Sequence, residues 1–356
     1  MQLGLGLYRH MLTADNYRFA RQAGATAIVA HLCDYFAEGP RIPTAADQGW
    51  GLAGRGLEIW EPENLRALKQ AINAEGLELA AVENLDPALW HDVLLDGPRK
   101  AEQLERVRRI IRAFGEVGIP TLGYNFSMAG VWGHVEGPYA RGGALSVAFL
   151  GADGPAETPI PPGMIWNMTY DPHAAPGPGL AVTPEQLWQR LDDFLAAVLP
   201  VAEEAGVTLA LHPDDPPTPT LRNTARLVYQ PALYQRLLDM YPSPANKLEF
   251  CIGSLAEMSE GDIYEAVESY SRQGAIAYIH FRNVRGKVPR YHEVFVDEGD
   301  VDMLRVIRIL RANGYNGVLI PDHTPQMACA APWHAGMAFA LGYMRAALQA
   351  TAQTRP

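Results

Sequence analysis

Short apolar runs rich in β-branched residues alternate, along most of this chain, with longer stretches of helical periodicity. The apolar runs are "GATAIVAHL" (24–32), "LELAAVEN" (77–84), "TLGYNF" (121–126), "VTLALHP" (207–213), "KLEFC" (247–251), "IAYIHFRNV" (276–284) and "GVLIPDH" (317–323). They are nearly continuous rather than alternating, the pattern of strands buried on both faces of a parallel sheet. Between them, 61–77, 98–119, 183–206 and 301–317 carry the spacing of amphipathic helices. Thr183, Pro184 and Gln186 spell a capping box with proline at the first helical position. Strand–helix alternation sustained this far predicts a parallel α/β architecture.

Two such architectures compete. A dinucleotide-binding sheet opens on G-x-G-x-x-G, but "LGLGLYRH" has Arg9 where the third glycine belongs. A (β/α)8 TIM barrel accounts for more, because polar residues recur directly after one strand after another: Glu83 and Asn84, Asn125, His212, Cys251, His280, and Asp322 with His323. The expectation is a single-domain barrel over 1–356, with an irregular lid-like insertion at about 127–180, rich in Gly, Pro and Ala, after an early strand. The length of 356 residues suits one large α/β barrel.

Composition narrows the partners. A net charge of −11 argues against nucleic acid, and no run of 18 apolar residues predicts a membrane span. The N-terminus lacks the order of a signal peptide, so a cytoplasmic protein is expected. Cys33, Cys251 and Cys329 are too few and too scattered for a disulfide framework and are expected to be reduced.

The spacings from His212 to Cys251, to His280 and to Asp322 are each about one βα unit. Successive strands therefore carry two imidazoles, a thiolate and a carboxylate to one mouth, a donor set for a divalent transition metal. A cysteine closing an apolar strand is ordinarily a small hydrophobe, and Cys33 and Cys329 read that way. Cys251 differs by its company.

Other candidates follow from position. Arg282 lies two residues after His280, so on a strand it points the same way and offers a guanidinium to a substrate carboxylate. Asn283, Asn125 and Glu83 join it as expected substrate contacts. His323, next to Asp322, is placed to carry a proton near neutral pH, and His334 in "APWHAG" is a second acid/base candidate. Asp214 and Asp215 read either as orienters of His212 or as turn formers. Asp300 or Asp302 is expected to cap a helix, with Glu293 within reach of the site.

Gathered in order, "IWNMTY", "LPVAEEAGVTLALHPDDPP", "CIGSL", "IHFRNV", "VFVDEGDVDM", "IPDHTPQM" and "ALGYM" resemble the mannonate dehydratase family through most of the chain, with "AVEN" and "GYNF" as looser matches. The resemblance implies a barrel of the xylose isomerase-like group. It implies His212, Cys251, His280 and Asp322 as ligands of Mn2+, with Fe2+, Co2+ or Zn2+ as alternatives, and His323 as acid/base. It further implies a hydro-lyase that removes water from a sugar acid, D-mannonate by default, to give a 2-keto-3-deoxy acid, and a homodimer. In that chemistry Arg282 would help stabilise charge developing on the substrate carboxylate.

This chain departs from the family pattern at two places. "SMAGVWGHVEG" stands where members have a tryptophan-arginine-threonine run, and Pro332, Trp333 and His334 stand near a family tyrosine. Trp132, His134 and Arg141 are the lid residues available as replacements. Two other functions fit the same residues: a metal-dependent sugar isomerase or epimerase, and a barrel that binds a sugar acid without turnover.

Overall fold

The computed structural model describes residues 1–42 and 49–353. Eight parallel strands close into a barrel in the order Gln2–Leu7, Val318–Ile320, Ile276–His280, Asn246–Cys251, Thr208–Leu211, Thr121–Tyr124, Glu78–Glu83 and Ala27–His31, which returns to the first. Helices cover the outside, in the (β/α)8 arrangement expected.

The strand that composition does not reveal is the first. In Gln2–Leu7 the leucines at 3, 5 and 7 face outward into the main core beneath the helices. Gly4 and Gly6 face the barrel axis, where a β-carbon on Gly4 would crowd the side chains of Val318 and Ile320. Its glycines thus serve close packing of strands, not phosphate binding. A second layer of mostly small residues, Ala27, Val29, Ala81, Ala210, Tyr278, Val318 and Ile320, fills the barrel interior. Alternate residues of one strand serve the two layers, as Ile28 outside and Val29 inside show.

The helix Pro184–Ala205 starts as its sequence dictates. Thr183 Oγ1 accepts from the Gln186 N–H, the Gln186 side chain accepts from the Thr183 N–H, and Gly206 ends the helix at φ 67°. Asp302 caps Met303–Ala312, accepting from the Arg305 N–H.

The insertion is more regular than its composition suggests. His134–Ala140 and Ala144–Phe149 pair antiparallel, and Ala144–Phe149 joins a hairpin of Asn283–Lys287 and Arg290–Val294. A four-stranded lid sheet results, built from two segments far apart in sequence. The barrel strand therefore ends at His280, and Asn283 begins the hairpin.

Candidate functional site

Three strand ends and one loop converge at the C-terminal mouth. His212 follows Thr208–Leu211, Cys251 ends its strand, and His280, in register with both Cys251 and Ile320, ends the next. Ligand atoms of His212, Cys251 and His280 all lie within 4.8 Å of one another. Asp322 Oδ2 is 3.4 Å from His280 Nδ1, which brings the fourth expected donor to the group.

Asp322 takes a left-handed φ of 62°. An ordinary strand would turn Asp322 and His323 to opposite faces; with this turn both line the same cavity of about 280 Å³. Such a conformation costs about 1–3 kcal/mol in a non-glycine residue, which the surrounding contacts must offset. Asn84, at φ 63°, does the same for itself and Glu83.

Hydrogen bonds fix which nitrogen each imidazole offers. His212 Nδ1 is 2.6 Å from the Pro213 carbonyl, which only accepts, so Nδ1 keeps its proton and Nε2 is the nitrogen on offer to an ion. His280 Nε2 is 3.1 Å from Glu83 Oε2 and 3.2 Å from Glu249 Oε1, so Nε2 donates and Nδ1 is the nitrogen turned to Asp322. That Nδ1 is buried and makes no hydrogen bond. A buried polar atom is normally satisfied. A buried ring nitrogen without a hydrogen-bond partner, beside a thiol and a carboxylate, is what a coordinated cation would satisfy, so this donor set fits a divalent metal, and Glu83 and Glu249 would hold one of its ligands in place.

The electrostatics agree. Burial disfavours a thiolate at Cys251, but the Arg282 guanidinium and the neighbouring His212 and His280 imidazoles outweigh it and hold the thiol at about 5. Burial also opposes charge on His212, yet Cys251 and Glu249 raise it to about 9. Without an ion the pair is thiolate and imidazolium. Burial and the Glu83 carboxylate push Glu249 well up, while His31 and His280 overcome burial to bring Glu83 down to about 2. Of the two carboxyls facing His280, Glu83 carries the charge.

Glu249 is fully buried against His280, and it has room because residue 123 is glycine. A β-carbon there would run into Glu249 Oε2 and the Tyr278 hydroxyl. Gly123→Ala should therefore cost about 1–3 kcal/mol, the usual range for overpacking a core. Thermal unfolding checks it; an unchanged midpoint would mean that the two side chains move aside freely.

Several expected substrate contacts have other employment. Arg282 is buried, and all three guanidinium nitrogens are engaged: Nε with Asp322 at 3.2 Å, Nη1 with Glu257 at 2.5 Å, and Nη2 with Ser254 at 3.0 Å and, closer still, Asp215. The expectation that it receives a substrate carboxylate is corrected, because protein carboxylates already saturate its donors. It lines the cavity as a hub that positions Asp322. Asn283 is corrected too: its amide donates to the carbonyls of Val296 and Val301 and accepts from the N–H groups of Val284 and Val301, tying the root of the lid hairpin. Glu83 lines the cavity but is bound to His280, whereas Asn125 lines it without such a tie.

His323 and His334 part company. His323 Nδ1 is 3.1 Å from Glu293 Oε1 and its Nε2 is 3.5 Å from Asp322 Oδ1, so two carboxylates flank it at the cavity. His334 bonds Asn16 at 3.0 Å and packs edge-on against Phe19 and Trp333, outside the residues lining that cavity. Its expected acid/base role is corrected: at the start of the last helix its ring is turned to the first. Asp214 accepts from the Leu227 and Val228 N–H groups and pairs with Arg226, the turn role, whereas Asp215 binds Arg282 and Tyr291. Arg141 pairs with Asp297, and Trp132 is buried with Arg222 over its ring.

The chain has known relatives. The family model described as D-mannonate dehydratase (UxuA) matches residues 16–142 and 180–349, leaving out much of the lid segment. The mannonate dehydratase of Streptococcus equi subsp. zooepidemicus is 31% identical over 278 residues, 75% of each chain. Mannonate dehydratase 2 of Halalkalibacterium halodurans is 29% identical over 275 residues, covering 74% of this chain and 79% of its own. Among solved structures, mannonate dehydratase from Streptococcus suis serotype 2 superposes with a TM-score of 0.77 at 25% identity, covering 99% of this chain and 93% of its own. An L-ribulose 3-epimerase at 15% identity and a TM-score of 0.56, covering 100% of this chain and 99% of its own, shares the fold. With its own residues matched on both sides of the lid segment, the chain belongs to the D-mannonate dehydratase family.

Proposed function

We propose that this protein is a divalent-metal-dependent hydro-lyase that removes water from a sugar acid, D-mannonate or a related aldonate, leaving a 2-keto-3-deoxy acid. The observation that carries the reading is the convergence of two imidazoles with fixed tautomers, a low-pKa thiol and a carboxylate beside His323. His212, Cys251, His280 and Asp322 would hold the ion, for which Mn2+ is our assignment. When bound it supplies positive charge against the negative charge that develops on the substrate carboxylate as the C2 proton leaves.

The protein's own residues do the rest. Tyr8, Tyr35, Trp50 and Trp166 line the cavity with aromatic faces suited to the C–H faces of a sugar, and Asn84 and Asn125 offer amides to its hydroxyls. His323, flanked by Glu293 and Asp322, holds a proton for the departing C3 hydroxyl.

Incubation with Mn2+ and a panel of aldonates, followed by semicarbazide absorbance, should show a 2-keto acid appearing from at least one. Altered stereochemistry without new keto acid would overturn elimination in favour of epimerisation. His323→Ala should keep its metal, measured by plasma emission spectrometry, and lose turnover by about 10²-fold or more. Undiminished turnover would take the proton from His323 and give it to another group.

A further inference from the structure

Loss of water across C2 and C3 moves two protons, and His323 accounts for one. We propose that His134, the first residue of the lid strand His134–Ala140, is the base that takes the C2 proton. This rests on the dehydratase reading above.

The argument begins at Asp215. Its Oδ2 is held by Arg282, and its Oδ1 accepts from the Tyr291 hydroxyl at 2.7 Å. A carboxylate can only accept, so the Tyr291 proton is committed to it. The Tyr291 oxygen is then an acceptor, and what lies 2.7 Å from it is His134 Nε2, itself 3.6 Å from Asp215 Oδ1. His134 must therefore carry its proton on Nε2, which leaves the lone pair on Nδ1. Among the described residues that Nδ1 makes no hydrogen bond.

His134 also stands in the right place. It lines a cavity of about 430 Å³ whose walls include His323, Glu293 and Asp322, so the lid imidazole and the barrel imidazole share one space. The two differ in setting. Carboxylates approach His323 at both ring nitrogens, whereas at His134 only Asp215 comes within ion-pair distance, with Glu293 farther off, and burial outweighs both to lower its pKa below the ordinary value. A neutral imidazole whose tautomer is locked by a phenol–carboxylate pair is the oriented base that proton abstraction requires.

The step balances without an outside reagent. His134 Nδ1 takes the C2 proton, and the C–H electron pair becomes the C2–C3 double bond. The C3–O bond breaks with its pair, and the oxygen leaves as water with the proton held by His323. The enol gains a proton at C3 and loses one from the C2 oxygen, giving the 2-keto-3-deoxy acid.

The test uses Mn2+-loaded full-length protein and whichever aldonate of the panel the wild type consumes. His134→Gln should lower kcat by about 10²-fold or more, with KM little changed and metal content retained. A C2-deuterated substrate should show a larger isotope effect on the variant than on the wild type, because unassisted C–H cleavage becomes the slow step. Tyr291→Phe, which keeps the imidazole but removes its acceptor, should lose about tenfold, the scale of one hydrogen bond. Wild-type kcat in both variants, or a loss with no rise in the isotope effect, overturns the assignment while leaving the dehydratase reading intact. A wild type inert on every aldonate overturns that reading, and this one with it.

Discussion

Cys251→Ala should come through purification with most of its metal gone and with turnover lost in proportion. Among the four donors, the thiolate is the soft anion, and it is ready before any ion arrives because its pKa sits at about 5 rather than the ordinary 9.0. Removing it takes a donor atom and a negative charge away from both imidazoles at once. Loss of a group that merely orients a ligand costs about 10- to 100-fold in metal affinity, and loss of a ligand should exceed that. Binding is also linked to pH. His212 is held up at about 9 without metal, so an ion must displace its proton at neutral pH. Wild-type affinity should therefore climb from pH 5 toward 9, and fall more steeply below about 5, where the thiol takes a proton too. Calorimetry in buffers of different ionisation enthalpy should register proton release on binding. Full metal occupancy in Cys251→Ala by emission spectrometry would remove the thiol from the coordination set.

The convergence of these donors was legible because barrel topology converts position at a strand end into position at one rim. Nothing beyond strand boundaries was needed to bring residues 212, 251, 280 and 322 together. Glu249 could have been found by the same logic, since it precedes Cys251 by two residues and so faces the same way, but it is submerged in an apolar run. The first strand was hidden for a different reason. Its glycines pack against Val318 and Ile320, neighbours that only closure of the barrel supplies. The lid sheet was beyond reach, because it pairs His134–Phe149 with a hairpin starting at Asn283, and neither segment has a pattern that names its partner. The role of Arg282 failed likewise. Arg282 does line the mouth, although the strand stops at His280, but what it meets there depends on carboxylates from four separate parts of the chain, at 215, 257, 293 and 322.

That environment makes Arg282→Met the most destabilising change we expect outside the metal ligands. Methionine fills much of the volume but leaves Asp215, Glu257, Glu293 and Asp322 without the guanidinium, with only the imidazoles of His134, His280 and His323 beside them. Breaking a buried ion pair from one side costs about 3–5 kcal/mol. For a chain of 356 residues that is a fall of roughly 4–7 °C in the unfolding midpoint. The deficit should depend on pH in a defined direction. In the wild type, Arg282 and neighbouring histidines overcome burial to hold Asp215 at about 2 and Glu293 and Asp322 below their ordinary values. Carboxylates with depressed folded pKa values stabilise above the unfolded pKa of about 4 and lose that contribution as pH falls through the folded value. In the variant the same carboxyls face one another without the guanidinium, so their folded pKa values rise, and protonation in mild acid relieves more repulsion than in the wild type. The gap between wild type and variant should therefore be widest near pH 7.5 and narrow by pH 5. Circular-dichroism melts at the two pH values measure it, and a gap that stays constant, or no loss of stability at neutral pH, would mean that water rather than the guanidinium compensates these carboxylates.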